Sequence, residues 1–256
     1  MRDYLIFQLY GPMVAWGKMA VGYARHSDPY PSKSAILGLV AAALGITRNE
    51  EEKLQRLQES IGFGVRIDKE GELILDYHTA QVPSRADLKK RPHATRRDEL
   101  SIPKLNTVLS MREYFCDAVY TIILWQRTDD VLSSPASIKK ALLNPAFVLY
   151  LGRKSCPLAL PLQPLIINAK CIEDSLVLAD DLLMEKKLTE KKALTDLDYI
   201  KKSRDQDYKL YWDIDGSIEN EPDMQITRKD RLISRARWQY GDRPENYKMT
   251  VNKGEK

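Results

Sequence analysis

The segments of this chain that can form strands and helices follow one another in an order that few folds accommodate. Tyr4–Tyr10 is rich in strand-forming residues with an alternating pattern, and Gly11-Pro12 ends it because proline cannot donate to a sheet. A helix is predicted from Ser32 to Leu44, where apolar side chains recur at helical spacing, and Gly45 suits its C-terminal end. The chain therefore opens with a strand and then a helix.

Further strands, an interruption and a second strand–helix pair follow. Phe63–Ile67 and Leu73–Tyr77 flank a turn-forming segment, which predicts a hairpin between them. The apolar periodicity fades from Pro83 to Leu109, returns as a long strand over Tyr114–Trp125, and gives way to a helix at Ser134-Pro135. This order is typical of a ferredoxin-like or RRM-like split βαβ unit that carries an insertion, so the predicted fold class is α/β (α+β).

The residue composition of the sequence changes after residue 160. We predict an RRM-like domain over residues 1–160 and a smaller, β-rich C-terminal region over 161–256. Within that region, residues 173–220 are rich in acids and paired lysines, which favours a solvated, partly irregular segment. With 256 residues, 43% of them hydrophobic and 30% charged, the chain is long enough and apolar enough to bury a core.

The composition also indicates the cellular compartment of such a protein. Three cysteines, none in a CxxC pair, predict neither a disulfide framework nor a structural zinc, and we expect no cofactor and no metal. The longest apolar run, around Ala35–Ala43, is half the length of a membrane span, and Met1–Tyr10 is expected to be a strand and not a signal peptide. We expect a reduced, cytoplasmic protein with no membrane partner.

The inserted segment carries a dense positive charge. Arg85–Arg97 reads RADLKKRPHATRR, with six basic side chains against one acid. Pro83 and Pro92 discourage regular structure, and so few apolar residues cannot bury the segment by themselves. It is either a solvated loop or an arm that lies on a polyanion, where binding to phosphates releases counterions.

A second candidate site is the loop Gly11–Ser34. It combines aromatic side chains that stack on bases with hydroxyls and cations near the predicted helix start, a place that suits a phosphate. These candidates are Trp16, Tyr23, Arg25, His26, Ser32, Lys33 and Ser34. The structural alternative is that Ser32 only caps the helix and that Trp16 packs on the sheet.

Two other segments repeat the combination of basic residues with glycine or aromatics. Gly152 is followed by Arg153 and Lys154, which suits a close approach of the backbone to a phosphate, although the spacing of a Walker loop is absent. Arg228–Arg243 contains Trp238 and Tyr240 among six bases. For this last segment a surface helix is the structural alternative to a partner or phosphate contact.

Taken in order, several spaced motifs resemble one known family. They are Gly11-Pro12 with Trp16-Gly17, Arg25 with Pro31–Ile36 and Gly38-Leu39, Arg112-Glu113-Tyr114, and Tyr150–Lys154 with Cys156-Pro157. With them the chain resembles the family-five CRISPR-associated subunit of the type I-E Cascade surveillance complex. The resemblance covers roughly Met1 to Pro161 and continues more loosely through Arg231, Arg235 and Trp238.

The resemblance implies a non-catalytic RNA-binding subunit for antiviral DNA targeting. Such subunits have an RRM-like body and an inserted β-hairpin, called the thumb, which would span about residues 76–111 here. They grip the 5′ handle of CRISPR RNA and contact the backbone (family-seven) subunits, whose filament they cap, and the large (family-eight) subunit, so that target DNA is an indirect partner. The thumb residues would be Arg85, Lys89, Lys90, Arg91, Arg96 and Arg97.

The RNA-binding residues that the motifs then indicate combine the loop with two later segments. They are Trp16, Tyr23, Arg25, His26, Ser32, Lys33, Ser34, Arg112, Tyr114, Arg153 and Lys154. No catalytic residue is predicted. Two alternatives remain at this point: a metal-independent endoribonuclease that uses Tyr23, His26 or Lys33 on repeat RNA, and a scaffold with little RNA contact, which would leave the basic run unexplained.

Overall fold

A computed structural model describes residues 1–18, 20, 22–90, 94–189, 207–219 and 221–250. The fold is mixed α/β and rich in strands. The first half contains β1 (Arg2–Tyr10), β2 (Met13–Val14), β3 (Trp16–Gly17), β4 (Ala24–Arg25), β5 (Ser27–Asp28), α1 (Lys33–Ala43), α2 (Glu51–Ser60), β6 (Ile61–Lys69), β7 (Glu72–Val82), α3 (Arg85–Lys90), α4 (Arg96–Leu100), β8 (Asn106–Cys116) and β9 (Val119–Gln126). The second half contains a 3-10 turn (Val131–Ser133), α5 (Pro135–Leu143), β10 (Leu165–Ala169), α6 (Ile172–Thr189), β11 (Tyr208–Asp213), β12 (Met224–Ser234) and β13 (Gln239–Thr250).

The main sheet has seven strands in the order β10-β1-β9-β6-β11-β13-β12, and each strand is antiparallel to its neighbours. The first four strands in this spatial order are β10, β1, β9 and β6. Numbered by their succession in the chain, these four strands lie in the order fourth, first, third, second. The last three strands continue the sheet beyond β6. The division of the chain at residue 160 stays a prediction, and strands from both sides of that point share this sheet.

Helices cover both faces of the main sheet, because its central strands alternate between two apolar clusters. Leu5, Phe7 and Leu9 of β1 belong to the larger cluster, which α1 and α5 cover. Tyr4 and Ile6 face the other way and pack in a cluster with α6. The β1 strand is thus buried on both faces, as expected for a central strand of a sheet that helices cover on both sides.

Local signals at the helix ends are confirmed. Ser32 caps α1 and its side chain accepts a hydrogen bond from the Ala35 amide, while Gly45 after this helix has a φ of 76°. Ser134 caps α5 with Pro135 in its first turn.

The predicted hairpin between β6 and β7 is wrong. β6 lies in the main sheet, whereas β7 pairs with β8 in a second sheet, from Glu72↔Cys116 to Val82↔Asn106. The single long strand predicted over Tyr114–Trp125 is also broken in two. Asp117, with a φ of 56°, separates β8 from β9, so the chain changes direction and enters a different sheet there.

The inserted segment is more regular than its two prolines suggested. Short helices α3 and α4 lie between the arms of the β7–β8 hairpin, and residues 91–93 are outside the described residues. The side chains of Thr95 and Asp98 form a capping box that satisfies the first amides of α4. Hydrogen bonds from short polar side chains therefore replace the apolar contacts that this segment lacks.

The segment predicted as partly irregular, residues 173–220, contains regular elements as well. Its first part belongs to α6, whose Ile172, Leu176 and Ala179 fall at helical spacing and are buried against the main sheet. Its last part contains β11, with Trp212 fully buried. Residues 190–206 and 220 lie outside the described residues. The surface helix considered for Arg228–Arg243 is wrong, because this segment forms the β12–β13 hairpin.

In the parts of the chain that the structure describes, no helix combines the length and the apolar character needed to span a membrane.

We predict that Gly62→Ala destabilises the fold, since a Cβ at this position would lie 2.0 Å from Cε2 and Nε1 of the buried Trp125. Overpacking of this kind costs about 1–3 kcal/mol, to be measured by urea denaturation. The matched control is Gly38→Ala, because Gly38 lies in α1 and a Cβ there meets nothing within 4 Å. That control should gain about 0.5–1 kcal/mol, and equal effects of the two changes would contradict the proposed packing.

Candidate nucleic-acid interface

The loop after β1 is joined to the root of the β7–β8 hairpin by a short parallel pairing. Ala24 and Arg25 of β4 lie opposite Met111 and Arg112 of β8. The amide of Met111 also donates a hydrogen bond of 3.1 Å to the carbonyl oxygen of Tyr23. Two segments almost ninety residues apart in the chain thus place their basic side chains side by side.

Arg153 fixes this junction from a third segment. Its guanidinium donates hydrogen bonds of 3.2 Å to the carbonyl oxygens of Glu113 and Arg25. It also lies over the ring of Tyr114, 4.6 Å from the centroid. Gly152 makes this possible because its φ is 86° and a Cβ there would lie 1.9 Å from the carbonyl oxygen of Ala15. The glycine predicted to approach a phosphate therefore approaches the protein's own backbone.

His26 and Glu113 form a hydrogen-bonded pair at the edge of this junction. Nδ1 of His26 lies 2.7 Å from Oε1 of Glu113, and the amide of Ser27 donates to Oε2 over 2.9 Å. Burial acts to raise the pKa of Glu113, but the hydrogen bonds from His26 and the Ser27 amide outweigh it and lower that pKa. The carboxylate is thus kept ionised and orients the imidazole.

Several of the predicted residues share one exposed surface around this junction, which we call the basic surface. Tyr23, Arg25, His26, Arg112 and Lys154 are exposed, and Arg153 is half-buried beside them. Within the described ranges, no carboxylate forms an ion pair with the four cationic side chains of this set. Exposed cations that form no ion pair, next to an exposed tyrosine ring, suit phosphates and bases of a single strand.

Two of the predicted aromatic residues are not on this surface, and the expectation that their rings stack on bases is corrected. Trp16 is 2% exposed and packs edge-on against Tyr120, and Tyr114 is buried beneath Arg153, so neither ring is free to stack on a base. Ser32 caps α1, and its hydroxyl also lies 3.1 Å from that of Ser34. Trp16 and Tyr114 thus stabilise the fold around the site, whereas an RNA contact of Ser32 or Ser34 stays a prediction.

Lys33, predicted to contact a phosphate, is instead buried in the protein interior. It is 1% exposed, and its Nζ donates to Oδ2 of Asp213 over 2.8 Å. Burial lowers the pKa of Lys33 to about 8, although the Asp213 carboxylate opposes this. The ammonium is not accessible to a phosphate, and the expected phosphate contact is replaced by a structural role.

Asp213 collects several donors besides Lys33. Arg127 and Arg243 donate to it over 2.7 and 2.6 Å, and the amide of Phe63 donates over 3.1 Å. Arg243 also binds Asp230, which accepts a hydrogen bond from the Lys33 amide. Motif reading missed this network because its members are single charged residues dispersed over more than two hundred positions.

The basic residues of the hairpin insertion divide into two groups. Arg96 donates to the carbonyl oxygen of Gln81 and to Glu99, so it holds α4 against β7. Arg85, Lys89 and Arg97 are exposed. The Lys90 side chain and Arg91 lie outside the described residues.

One group of possible metal ligands lies away from the basic surface, at the start of α6. Single ligand atoms of Cys171, Asp174 and Glu219 lie within 4.8 Å of one another. The Cys171 sulfur accepts a hydrogen bond from the Asp174 amide, and burial raises the pKa of this thiol to about 11. The thiol is therefore protonated in this structure and accepts a hydrogen bond within the protein.

Comparisons with known proteins agree with the motifs. The model of the family described as CRISPR-associated protein (Cas_Cas5) matches residues 4–244. The CRISPR system Cascade subunit CasD of Escherichia coli (strain K12) is 41% identical over 162 residues, which cover 63% of this chain and 70% of that protein. The chain therefore belongs to the Cas5 family of CRISPR-associated proteins.

Two solved structures share the fold. A chain of a CRISPR RNA-guided surveillance complex superposes with a TM-score of 0.61 at 23% identity, covering 97% of this chain and 90% of that one. A structure described as a Cas protein superposes with a TM-score of 0.55 at 21% identity, covering 97% and 95%. The mixed α/β architecture is thus that of known Cas structures.

We predict that Lys33→Met lowers the free energy of unfolding but leaves RNA affinity of the folded variant unchanged. Removing one partner of a buried ion pair costs roughly 3–5 kcal/mol, and the low end applies because two arginines still face Asp213. Urea denaturation and fluorescence anisotropy with labelled handle RNA measure the two quantities. The matched control is Arg25→Ser, expected to weaken RNA binding at nearly wild-type stability. Weaker RNA binding by Lys33→Met at wild-type stability, together with unchanged RNA binding by Arg25→Ser, would show that Lys33 contacts a phosphate after all.

Proposed function

We propose that this protein is a non-catalytic RNA-binding subunit of a Cascade surveillance complex and that its basic surface grips the 5′ handle of CRISPR RNA. The observation that carries the proposal is the junction of β4 with β8, which puts Arg25 beside Arg112. Membership of the Cas5 family and the likeness to the Cascade subunit CasD support the assignment.

The body that presents this surface is, in our proposal, a ferredoxin-like or RRM-like unit. Its support is the spatial order of β10, β1, β9 and β6, which corresponds to a split βαβ unit with strands in the order fourth, first, third, second. The β7–β8 hairpin, inserted between the second and third of these strands, is then the thumb. It begins at Glu72 and ends at Cys116, a longer span than the 76–111 expected from the sequence.

The chemistry of the basic surface fits a single strand of RNA. Arg25, Arg112 and Lys154 offer cationic groups for phosphates, and Tyr23 offers an exposed ring for a base. Arg153 binds two backbone carbonyls, so it positions Arg25 and the root of β8. The proposal therefore assigns the RNA contacts to the exposed cations and a supporting role to Arg153.

The thumb supplies a surface for protein partners. Leu73, Leu75 and Tyr77 lie on one face of β7 and are each more than half exposed, and Leu109 lies on the same face of β8. An exposed apolar face of this kind suits a subunit interface. We propose that it docks on a backbone (family-seven) subunit, while contacts with the large (family-eight) subunit and with target DNA follow from membership of the complex.

One observation favours the alternative of an endoribonuclease. His26 is exposed, is oriented by Glu113 and lies among cations, as a general base for a 2′-hydroxyl would. The leaving oxygen also needs an acid, and the burial of Lys33 removes one of the two other candidates and leaves Tyr23. Binding without cleavage is therefore the better supported function.

We predict that Arg112→Ser flattens the salt dependence of handle binding. Loss of one phosphate contact to a single strand should change the slope of log K against log salt by about 0.7. Anisotropy titrations over a range of salt concentrations measure it. The control is Arg56→Ser, because Arg56 is an exposed arginine on α2 that pairs with Asp130. An unchanged slope for Arg112→Ser, or the same change in both variants, would contradict the placement of RNA on the basic surface.

We also predict that the purified protein does not cleave repeat RNA. The test is incubation with an end-labelled repeat, with and without chelator, followed by electrophoresis. Intact RNA is expected for both wild type and His26→Ala. Site-specific cleavage by wild type that His26→Ala abolishes would assign the protein to the alternative.

A further inference from the structure

The turn between β12 and β13 exposes the one tryptophan of the chain that does not lie in the core. Trp238 is 61% exposed, whereas Trp16, Trp125 and Trp212 are each at most 2% exposed. Trp238 also has a φ of 54°, a conformation that bulky residues rarely adopt. An exposed indole contributes little to the hydrophobic core, and its backbone conformation is unfavourable. Packing in the core therefore does not explain a tryptophan at this position.

Two guanidinium groups lie near the ring of this indole, most of which stays exposed. The Cζ atom of Arg235 lies 4.3 Å from the ring centroid and that of Arg48 lies 5.5 Å from it. The turn is held in place by the amide of Arg235, which donates to Glu51 over 3.0 Å, and by its guanidinium, which donates to the hydroxyl of Tyr240. The ring is therefore presented on a supported turn and in a positive environment.

The arginines at this turn differ from those further along the same two strands. Arg228 and Arg243 bind Asp28, Asp213, Asp230 or Glu245. Over the described portion of the chain, by contrast, no ion pair is formed by any of the four arginines around the turn, which are Arg48, Arg231, Arg235 and Arg237. The guanidinium groups of Arg228 and Arg243 are thus neutralised, whereas those at the turn have no ion-pair partner among the described residues.

This turn lies apart from the basic surface. Arg48 follows the C-terminal end of α1, whereas Arg25 and His26 precede its beginning. The helix between them has eleven residues and is about 16 Å long, so the two places follow opposite ends of α1 in the chain. A ligand at the turn would be an additional contact and not a part of the basic surface.

We propose that Trp238, with Arg48, Arg235 and Arg237, forms a second site for single-stranded nucleic acid, in which a base stacks on the indole and the arginines meet the flanking phosphates. Aromatic rings beside cations bind bases of any sequence, because every base has a flat face. The chemistry is the same for RNA and for DNA. The inference goes beyond the grip on the handle, which uses other residues.

The distribution of tryptophans makes the proposal directly measurable. Because the other three indoles are buried, quenching of tryptophan fluorescence by a stacked base reports on Trp238. We expect saturable quenching of the full-length protein by an oligouridylate and by an oligothymidylate of about ten nucleotides. The two oligonucleotides show whether RNA or DNA is preferred. Quenching should persist in the Arg25→Ser/Arg112→Ser double variant, so the result does not depend on the basic surface.

Variants made in the Arg25→Ser/Arg112→Ser background, in which binding at the basic surface is weakened, then test the role of each group by anisotropy of the labelled oligonucleotides. Trp238→Ala should bind roughly tenfold more weakly, whereas Trp238→Phe, which keeps an aromatic face, should lose much less. Arg48→Gln/Arg237→Gln keeps the indole and should bind more weakly with a flatter salt dependence. Absence of saturable quenching in wild type would overturn the proposal, even if Trp238→Ala does not fold. Unchanged affinity of a folded Trp238→Ala would do so as well, and would leave the indole a structural role at the turn.

Discussion

The carboxylate of Asp213 is the contact on which the arrangement of the molecule depends. It accepts hydrogen bonds from Lys33 at the start of α1, from the Phe63 amide in β6, and from Arg127 and Arg243. One short side chain thus connects the last strands of the main sheet to a helix start 180 positions earlier in the chain. Buried charges are costly unless they are fully paired, and this pairing sets the position of α1 and of the loop that leads into it.

The position of that loop matters because the thumb leaves the main sheet beside it. Asp117 turns the chain between β8 and β9, and Gly71 allows close contact with Cys116 and Ala118 at the other side of the hairpin root. β2 and β4 both pair with β8, so the loop and the thumb are hydrogen-bonded into one sheet. In our account the RNA contacts and the subunit contacts therefore lie on one connected element, and the placement of RNA is coupled to the placement of the thumb.

Local features were predictable from the sequence, and contacts between distant segments were not. The cap at Ser32 and the turn at Gly45 follow from the preferences of single residues, and so does the exposed position of Arg25 in a polar loop. The role of Lys33 could not be predicted, because a lysine beside two serines at a helix start has the same pattern whether it faces a phosphate or a buried carboxylate. Only the folding of β11 onto β6 brings Asp213 to it.

The most direct test of the account is a map of RNA–protein crosslinks in the assembled Cascade complex that contains this protein. We predict that crosslinks to the 5′ handle concentrate on Tyr23 to His26, on Arg112 and on Lys154, the segments that form the basic surface. Crosslinks to the handle that fall instead on the outer face of α6, on the other side of the main sheet, would contradict it.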